Sequence, residues 1–158
     1  MQCPDFAQVA SDKKAYAKAT RQQYDQQDEI YGKTVIQRHG KQMLVQNPPA
    51  LSLTQEELDA VYQLPFQRKP HPMYDAQGGV PGIAEVQFSI AHNRGCFGYC
   101  NFCSIALHQG RRVTCRSEES ILKEAKQITE MPNFKGYIHD VGGPTANFRA
   151  PSLSLIHI

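Results

Sequence analysis

Three cysteines that lie close together in the chain have the spacing of an iron–sulfur site. Cys96, Cys100 and Cys103 form a CxxxCxxC motif, with Gly95 before it and Gly98 inside it. Thiolates are the usual protein ligands of iron–sulfur clusters, and three of them can hold three irons of a four-iron cluster. The fourth iron would then have no protein ligand and could bind a small molecule. The two glycines let the backbone bend tightly and direct N–H groups at cluster sulfides.

The same cysteines could instead hold zinc, and residue types alone leave this alternative open. A closed zinc site needs a fourth ligand, which would have to be His108 or Cys115. The chain has five cysteines, an odd number, and most of them are clustered. This favours metal binding in a reducing compartment over a disulfide framework. Cys3 and Cys115 stand apart from the triplet, and we interpret both as free thiols.

The segment that contains the cysteines has a β–α–β pattern. Val86, Phe88 and Ile90 alternate with polar or small residues and predict a strand that ends shortly before the motif. Ser117 is placed to cap a helix with acidic residues in its first turn. The segment from Gly136 to Val141 predicts a second strand. Strand, loop, helix and strand in this order predict a parallel pair and therefore an α/β fold.

The region before this pattern is predicted to be mostly helical. The polar segment from Asp5 to Gln27 is compatible with a helix, and the segment from Lys41 to Gln46 is predicted to be extended. Thr54 and Glu57 form a capping box that predicts the start of a short helix.

Prolines and glycines mark the boundary between the two regions. They are concentrated in residues 65–82, which predicts a connector. We therefore predict an N-terminal region over residues 1–82 and a core region over residues 83–152. The last six residues, 153–158, are similar to the translated end of a transposon used for sequencing libraries. We interpret them as an adaptor scar that plays no part in the fold.

Composition places the chain among globular proteins. It has 158 residues, of which 41% are hydrophobic and 20% charged, so it is predicted to be neither disordered nor membrane-embedded. The net charge of +2 does not indicate a nucleic-acid partner. No apolar stretch is long enough to span a bilayer, and the first residues do not have the form of a secretory signal. We therefore expect a cytoplasmic protein with no membrane partner.

The motif and several longer strings carry a resemblance to a known family. The cysteine motif, with aromatic Phe102 in its last gap, resembles the signature of radical S-adenosylmethionine (SAM) enzymes. More narrowly, the chain is similar to the YgiQ family of radical SAM proteins. The strings that support this similarity are Val45–Pro49, Leu64–Phe66, His108–Arg111, Arg116–Leu122 and Lys135–Thr145.

The resemblance implies a fold, an activity and two cofactors. The fold would be the start of a partial parallel (β/α) barrel, truncated after about two strands. Cys96, Cys100 and Cys103 would bind a [4Fe-4S] cluster whose fourth iron chelates SAM. Reductive cleavage of SAM would give a 5′-deoxyadenosyl radical that acts on an unknown substrate. A low-potential donor such as flavodoxin or ferredoxin would supply the electron.

The resemblance also implies residues that contact SAM. Phe102 would pack near the adenine. Gly142 and Gly143 resemble the Gly-Gly-Glu motif that contacts the methionine amino group, although Pro144 stands in the place of the acid. Thr145 is a further candidate for this contact.

Two further possibilities concern the basic residues after the motif and the class of enzyme. His108, Arg111 and Arg112 follow the cysteines and could reach a substrate or the SAM carboxylate. A tRNA-modifying methylthiotransferase uses the same triplet, but it would need a second cysteine cluster upstream, where the chain has only Cys3. We also expect the 158-residue chain alone to be inactive.

Overall fold

A computed structural model describes residues 1–98 and 100–143 of the chain. It shows a mixed α/β protein that divides into two compact units. The first unit combines Met1–Ser52 with Gly95–Arg112, and the described part of the second combines Leu53–Arg94 with residues 113–143. The cysteine motif therefore packs in the same unit as the N-terminal segment. The domain boundary at residue 82 stays a prediction.

The first unit begins with two helices where the sequence predicted one. Helix α1 spans Phe6–Ser11 and helix α2 spans Lys13–Asp25. The break lies at Asp12, whose backbone is extended and whose side chain accepts a hydrogen bond from the Lys14 N–H at 2.9 Å. Because this aspartate caps the second helix, it cannot continue the first one. The single predicted helix was wrong at this residue.

A β-hairpin completes the N-terminal part of the first unit. Strand β1 (Val35–His39) pairs antiparallel with strand β2 (Gln42–Gln46). The sequence predicted β2, but it did not predict β1. A small core forms from Cys3, Ala19 and Val35. Burial raises the pKa of the Cys3 thiol.

The second unit begins with the predicted capping box. The Thr54 hydroxyl accepts from the Glu57 N–H, and the Glu57 carboxylate accepts from the Thr54 N–H. Helix α3 follows over Gln55–Tyr62, so this prediction is confirmed. The connector that comes next contains a 3-10 helix at Pro72–Gln77 and leads into the short helix α4 at Ile83–Val86.

The predicted parallel strand pair is present, but both strands are shorter than predicted. Strand β3 (Ile90–Ala91) pairs in parallel with strand β6 (Val141–Gly142). Val86 lies in helix α4 rather than in the strand. The predicted strand from Gly136 likewise begins only at Val141, and the ladder starts where the Ile90 N–H donates to the Asp140 carbonyl at 2.8 Å. Val86, the first residue of the predicted alternation, is 58% exposed, and the length of a strand depends on a paired neighbour.

Helix α6 packs against β3 and covers Phe88 and Ile90, two residues of the apolar face that the sequence predicted. It spans Glu118–Thr129, and the Ser117 side chain accepts from the Ser120 N–H at 3.1 Å. The core of the second unit is a cluster of four buried side chains, Phe88, Ile90, Ile121 and Ile128. The predicted β–α–β order is therefore confirmed within the described residues. A barrel start stays a prediction.

Two further strands and one helix flank the cysteine motif in the chain. Strand β4 (Asn93–Arg94) pairs antiparallel with strand β5 (Thr114–Cys115). Helix α5 covers Ile105–Gln109.

A buried ionic network ties the elements of the second unit together. The Glu124 carboxylate forms ion pairs with Arg68 and Arg116, and the Arg116 side chain is only 1% exposed. The Arg116 guanidinium also stacks over the Tyr62 ring at 4.0 Å and donates to the Ala91 carbonyl at 2.9 Å. One side chain thus joins α3, α6 and β3.

Within residues 1–98 and 100–143, no helix combines the length and the hydrophobicity that a membrane span requires.

Candidate cofactor site

The cysteine motif lies on a closed loop of residues 95–112. The chain enters it after β4 and leaves it before β5, and these two strands pair with each other. At the base of the loop, the Cys96 N–H donates to the Gly110 carbonyl at 3.0 Å, and the Gly95 N–H donates to the Gln109 side-chain oxygen at 3.3 Å. The two ends of the loop are therefore held together, as in the compact surface loops that often carry functional residues.

Gly95 makes this closure possible. Its φ is +90°, a left-handed conformation that favours glycine. A Cβ atom built at this position would overlap the Arg112 carbonyl group. Only glycine allows the two ends of the loop to approach this closely.

Within the loop, the three cysteines are free thiols with different exposure. Cys96 is buried, Cys103 is half-buried and Cys100 is exposed. The Gly98 N–H donates to the Cys96 sulfur at 3.3 Å. A Cβ atom at Gly98 would lie 3.3 Å from the Cys96 sulfur and 3.7 Å from the Cys100 sulfur, so both sulfurs flank this residue. The Cys103 N–H donates to the Cys100 carbonyl at 3.0 Å, which forms a tight turn.

The donor set fits an iron–sulfur cluster in its chemistry. It offers three unpaired thiols, two of them beside one glycine, and a backbone N–H that already points at a cysteine sulfur. Such N–H groups tune the potential of a bound cluster. Across residues 1–98 and 100–143, however, no three His, Cys, Asp or Glu side chains converge into a ready metal site. Cluster binding therefore stays a proposal.

Phe102 has a side chain that is available to a ligand. It is 92% exposed, although it lies between two cysteines of the motif. An exposed aromatic ring in a loop offers a face for stacking. The predicted contact of Phe102 with adenine stays a prediction.

Gly142 and Gly143, the predicted SAM-contacting pair, lie in the second unit at the end of strand β6. The Gly142 carbonyl accepts from the His92 N–H at 2.9 Å and so extends the β3–β6 ladder. This ladder bond uses one of the two lone pairs of the Gly142 carbonyl, so the contact of either glycine with an ammonium group stays a prediction. Thr145 and Pro144 lie outside the described residues.

Asn93, which sequence reasoning missed, lies just after β3 in the second unit. It is 3% exposed, and neither its amide nitrogen nor its amide oxygen has a hydrogen-bond partner among the described residues. An unsatisfied buried polar group costs about 1–3 kcal/mol, so such groups usually have a partner in the functional state. Carboxyl ends of parallel strands meet at one edge of a sheet, which places Asn93 and the Gly142–Gly143 pair at the same edge of β3–β6.

The arginines that follow the motif have partners within the first unit. Arg111 donates to the Tyr24 carbonyl at 2.7 Å, and Arg112 pairs with Glu29 at 3.5 Å. Both arginines therefore contact the N-terminal segment, a role that the sequence did not predict. His108 is exposed on α5. No local signal identifies Tyr24 or Glu29, because 87 residues separate Tyr24 from Arg111.

Comparison with known families defines the class of this protein. Residues 1–89, which are more than half of the chain, match the family model described as radical SAM N-terminal. The chain therefore belongs to the radical SAM N-terminal family, within the radical SAM superfamily.

Comparison with curated proteins narrows the class. A UPF0313 protein of Clostridium botulinum strain 657 is 56% identical over 94% of this chain, which covers 23% of that protein. UPF0313 proteins of Clostridium perfringens strains ATCC 13124 and 13 are 54% and 53% identical over 94% of this chain, which covers 22% of each. These relatives confirm the prediction that the chain belongs to the YgiQ-like family. The chain spans about a quarter of their length. No solved structure matches it.

Proposed function

We propose that this chain carries the cluster-binding loop of a radical SAM enzyme. The observation that carries the proposal is the CxxxCxxC triplet on a closed loop, with the Gly98 N–H directed at the Cys96 sulfur. Membership of the radical SAM N-terminal family supports it. Cys96, Cys100 and Cys103 would each bind one iron of a [4Fe-4S] cluster. When bound and reduced, such a cluster would supply the electron for cleavage of SAM into methionine and a 5′-deoxyadenosyl radical.

The residues of this chain would bind and orient SAM. The Gly143 carbonyl would accept from the ammonium group of the methionine moiety, and Thr145 is a second candidate for this contact. The Asn93 amide, which is buried and has both a donor and an acceptor available, would bind another polar group of SAM. Phe102 would stack on the adenine and keep water from it.

The remaining features of the proposal concern the complete protein. The strand pair β3–β6 would belong to a partial parallel barrel, with SAM at the carboxyl ends of the strands. A low-potential donor such as flavodoxin or ferredoxin would reduce the cluster, and the enzyme would act in the cytoplasm. The substrate is unknown.

Metal analysis of the complete protein tests the proposal. After anaerobic reconstitution with iron and sulfide, we expect about four irons and four sulfides per chain. Replacement of any one of Cys96, Cys100 or Cys103 by alanine should lower the iron content sharply. Cys115→Ala is the matched control and should leave it unchanged. A colourless protein that retains one zinc, in a site that Cys115→Ala or His108→Ala destroys, would overturn the proposal in favour of the zinc module.

A further inference from the structure

The cysteine loop packs with the N-terminal segment rather than with its own neighbours in the chain. Loop residues Gly95–Arg112 and residues Met1–Ser52 form one compact unit, although more than 40 residues separate them in sequence. Such a packing arrangement needs specific contacts that hold the loop in place. Two arginines at the end of the loop supply them.

The first contact joins Arg111 to the end of helix α2. Its guanidinium donates to the Tyr24 carbonyl at 2.7 Å and lies 5.0 Å from the centre of the Tyr24 ring. The Tyr24 carbonyl also accepts from the Gln27 N–H at 3.3 Å, and as a carbonyl in the last turn of a helix it carries partial negative charge. Arg111 therefore adds a positively charged donor to this carbonyl and stacks on the ring of the same residue.

The second contact joins Arg112 to Glu29. The Arg112 guanidinium lies 3.5 Å from one carboxylate oxygen of Glu29. The other carboxylate oxygen accepts from the Ser52 N–H at 2.6 Å and from the Ser52 hydroxyl. Glu29 thus joins the end of the loop to the end of the N-terminal segment. The Glu29 carboxylate is largely buried, whereas the Arg112 side chain is 47% exposed, so burial strengthens the hydrogen bonds to Ser52 more than the ion pair.

The turn that carries Glu29 is itself held by hydrogen bonds. The Asp28 carboxylate accepts from the N–H groups of Ile30 and Tyr31, both at 2.8 Å, and the Gly32 N–H donates to the Asp28 carbonyl at 3.0 Å. The partners of the two arginines are therefore fixed independently of the loop. A fixed partner orders a loop at a lower entropic cost than a mobile one.

We propose that Tyr24 and Glu29 are positioning residues for the cluster loop, acting through Arg111 and Arg112. This inference rests on the proposed function, because it assigns the N-terminal region the task of holding the cluster ligands in their binding geometry. Residues that hydrogen-bond metal ligands typically change metal affinity about 10–100-fold when replaced. Tyr24 and Glu29 would act on the loop rather than on a ligand, so we expect an effect at the lower end of this range. The N-terminal region of this family would then be part of the cofactor site.

Retention of the cluster measures this role directly. In the complete, reconstituted protein, we expect Arg111→Ala and Glu29→Gln to lose iron to a chelator about tenfold faster than the wild type. Arg21→Ala is the matched control. It removes an arginine from α2 that pairs with Asp25 at 2.9 Å and is exposed. This control should lose iron at the wild-type rate.

Two further measurements separate positioning from general stability. The unfolding temperature of the metal-free Arg111→Ala protein should stay within about 2–4 °C of the wild-type value, the shift that about 1 kcal/mol produces in a large domain. Arg111→Lys keeps the charge and a donor but loses the planar stack, and it should retain iron better than Arg111→Ala. If Arg111→Ala does not fold, Arg111→Lys is compared with the wild type instead. We then expect Arg111→Lys to lose iron faster than the wild type.

The possible outcomes distinguish this inference from the proposed function. A wild-type protein that binds no iron overturns the proposed function and this inference with it. A wild-type protein that binds the cluster, with both Arg111 variants and Glu29→Gln losing iron at the wild-type rate, overturns this inference alone.

Discussion

Gly95 is the residue on which closure of the cysteine loop depends most directly. Gly95 and Gly110 both have φ of +90°, but only a Cβ atom at Gly95 would overlap another group, the Arg112 carbonyl. Gly110→Ala should therefore lose about 1 kcal/mol of unfolding free energy through backbone strain, whereas Gly95→Ala should lose about 2–3 kcal/mol. Chemical denaturation of the complete protein measures both values. Equal losses in the two variants would contradict the close approach at the base of the loop.

The carboxyl group of Asp28 is expected to make the stability of the first unit depend on pH. Hydrogen bonds from the Tyr31 and Ile30 N–H groups lower the pKa of its carboxyl group. A lowered pKa in the folded state contributes stability that is present above the unfolded value of about 3.9 and is lost as the pH falls through the folded pKa.

Asp28→Asn should therefore be less stable than the wild type at pH 7, and the difference should shrink as the pH falls below about 4. Denaturation midpoints measured between neutral and acidic pH test this. Asp75→Asn, which removes an exposed carboxylate from the connector, is the control. A difference between Asp28→Asn and the wild type that is the same at all pH values would contradict the role of the charge.

At the scale of residues, the sequence predicts three candidate ligands but not the residues that hold their loop in place. The cysteine motif is local, so the spacing of Cys96, Cys100 and Cys103 could be interpreted without a structure. The contacts of Arg111 and Arg112 could not be predicted from the sequence, because their partners lie far away in the chain and belong to ordinary polar segments. Arginines after a loop carry no local signal that distinguishes a ligand-binding role from an anchoring one.

Among the elements, helix α6 is held by the ionic network around Glu124. This carboxylate pairs with two arginines, and removal of one partner leaves buried charges uncompensated. We expect Glu124→Ala to lower the unfolding free energy by about 3–5 kcal/mol. Glu119→Ala removes an exposed carboxylate from the first turn of the same helix and should cost about 0.5 kcal/mol. Similar losses in the two variants, measured by denaturation, would contradict a structural role of the network.

The ends of helices and strands could be predicted where the residues that determine them are close together in the sequence. The capping box of Thr54 and Glu57 and the Ser117 cap both marked helix starts correctly, because a cap involves residues within one turn. The ends of β3 and β6 could not be predicted, since they depend on where the two strands meet. The break at Asp12 was missed because the polar residues around it are equally compatible with one helix or with two.

For the whole molecule, the comparisons with relatives and the division into compact units concern the same two parts of the chain, the N-terminal region and the cysteine loop. The matched model covers residues 1–89, which end before the cysteine motif, whereas the relatives match across both regions. The first unit draws on both of these parts of the chain. An N-terminal region that folds with the cysteine loop would explain why the relatives match both parts of the chain.

The most direct test of the proposed cluster and its binding of SAM is the effect of SAM on the paramagnetic resonance spectrum of the complete protein. The protein would be reconstituted anaerobically and reduced with dithionite, and its paramagnetic resonance spectrum would be recorded with and without SAM. We predict a four-iron signal that changes shape when SAM is added, because SAM would bind the iron that the three cysteines leave free. The absence of such a signal, or a signal that SAM does not change, would contradict the account.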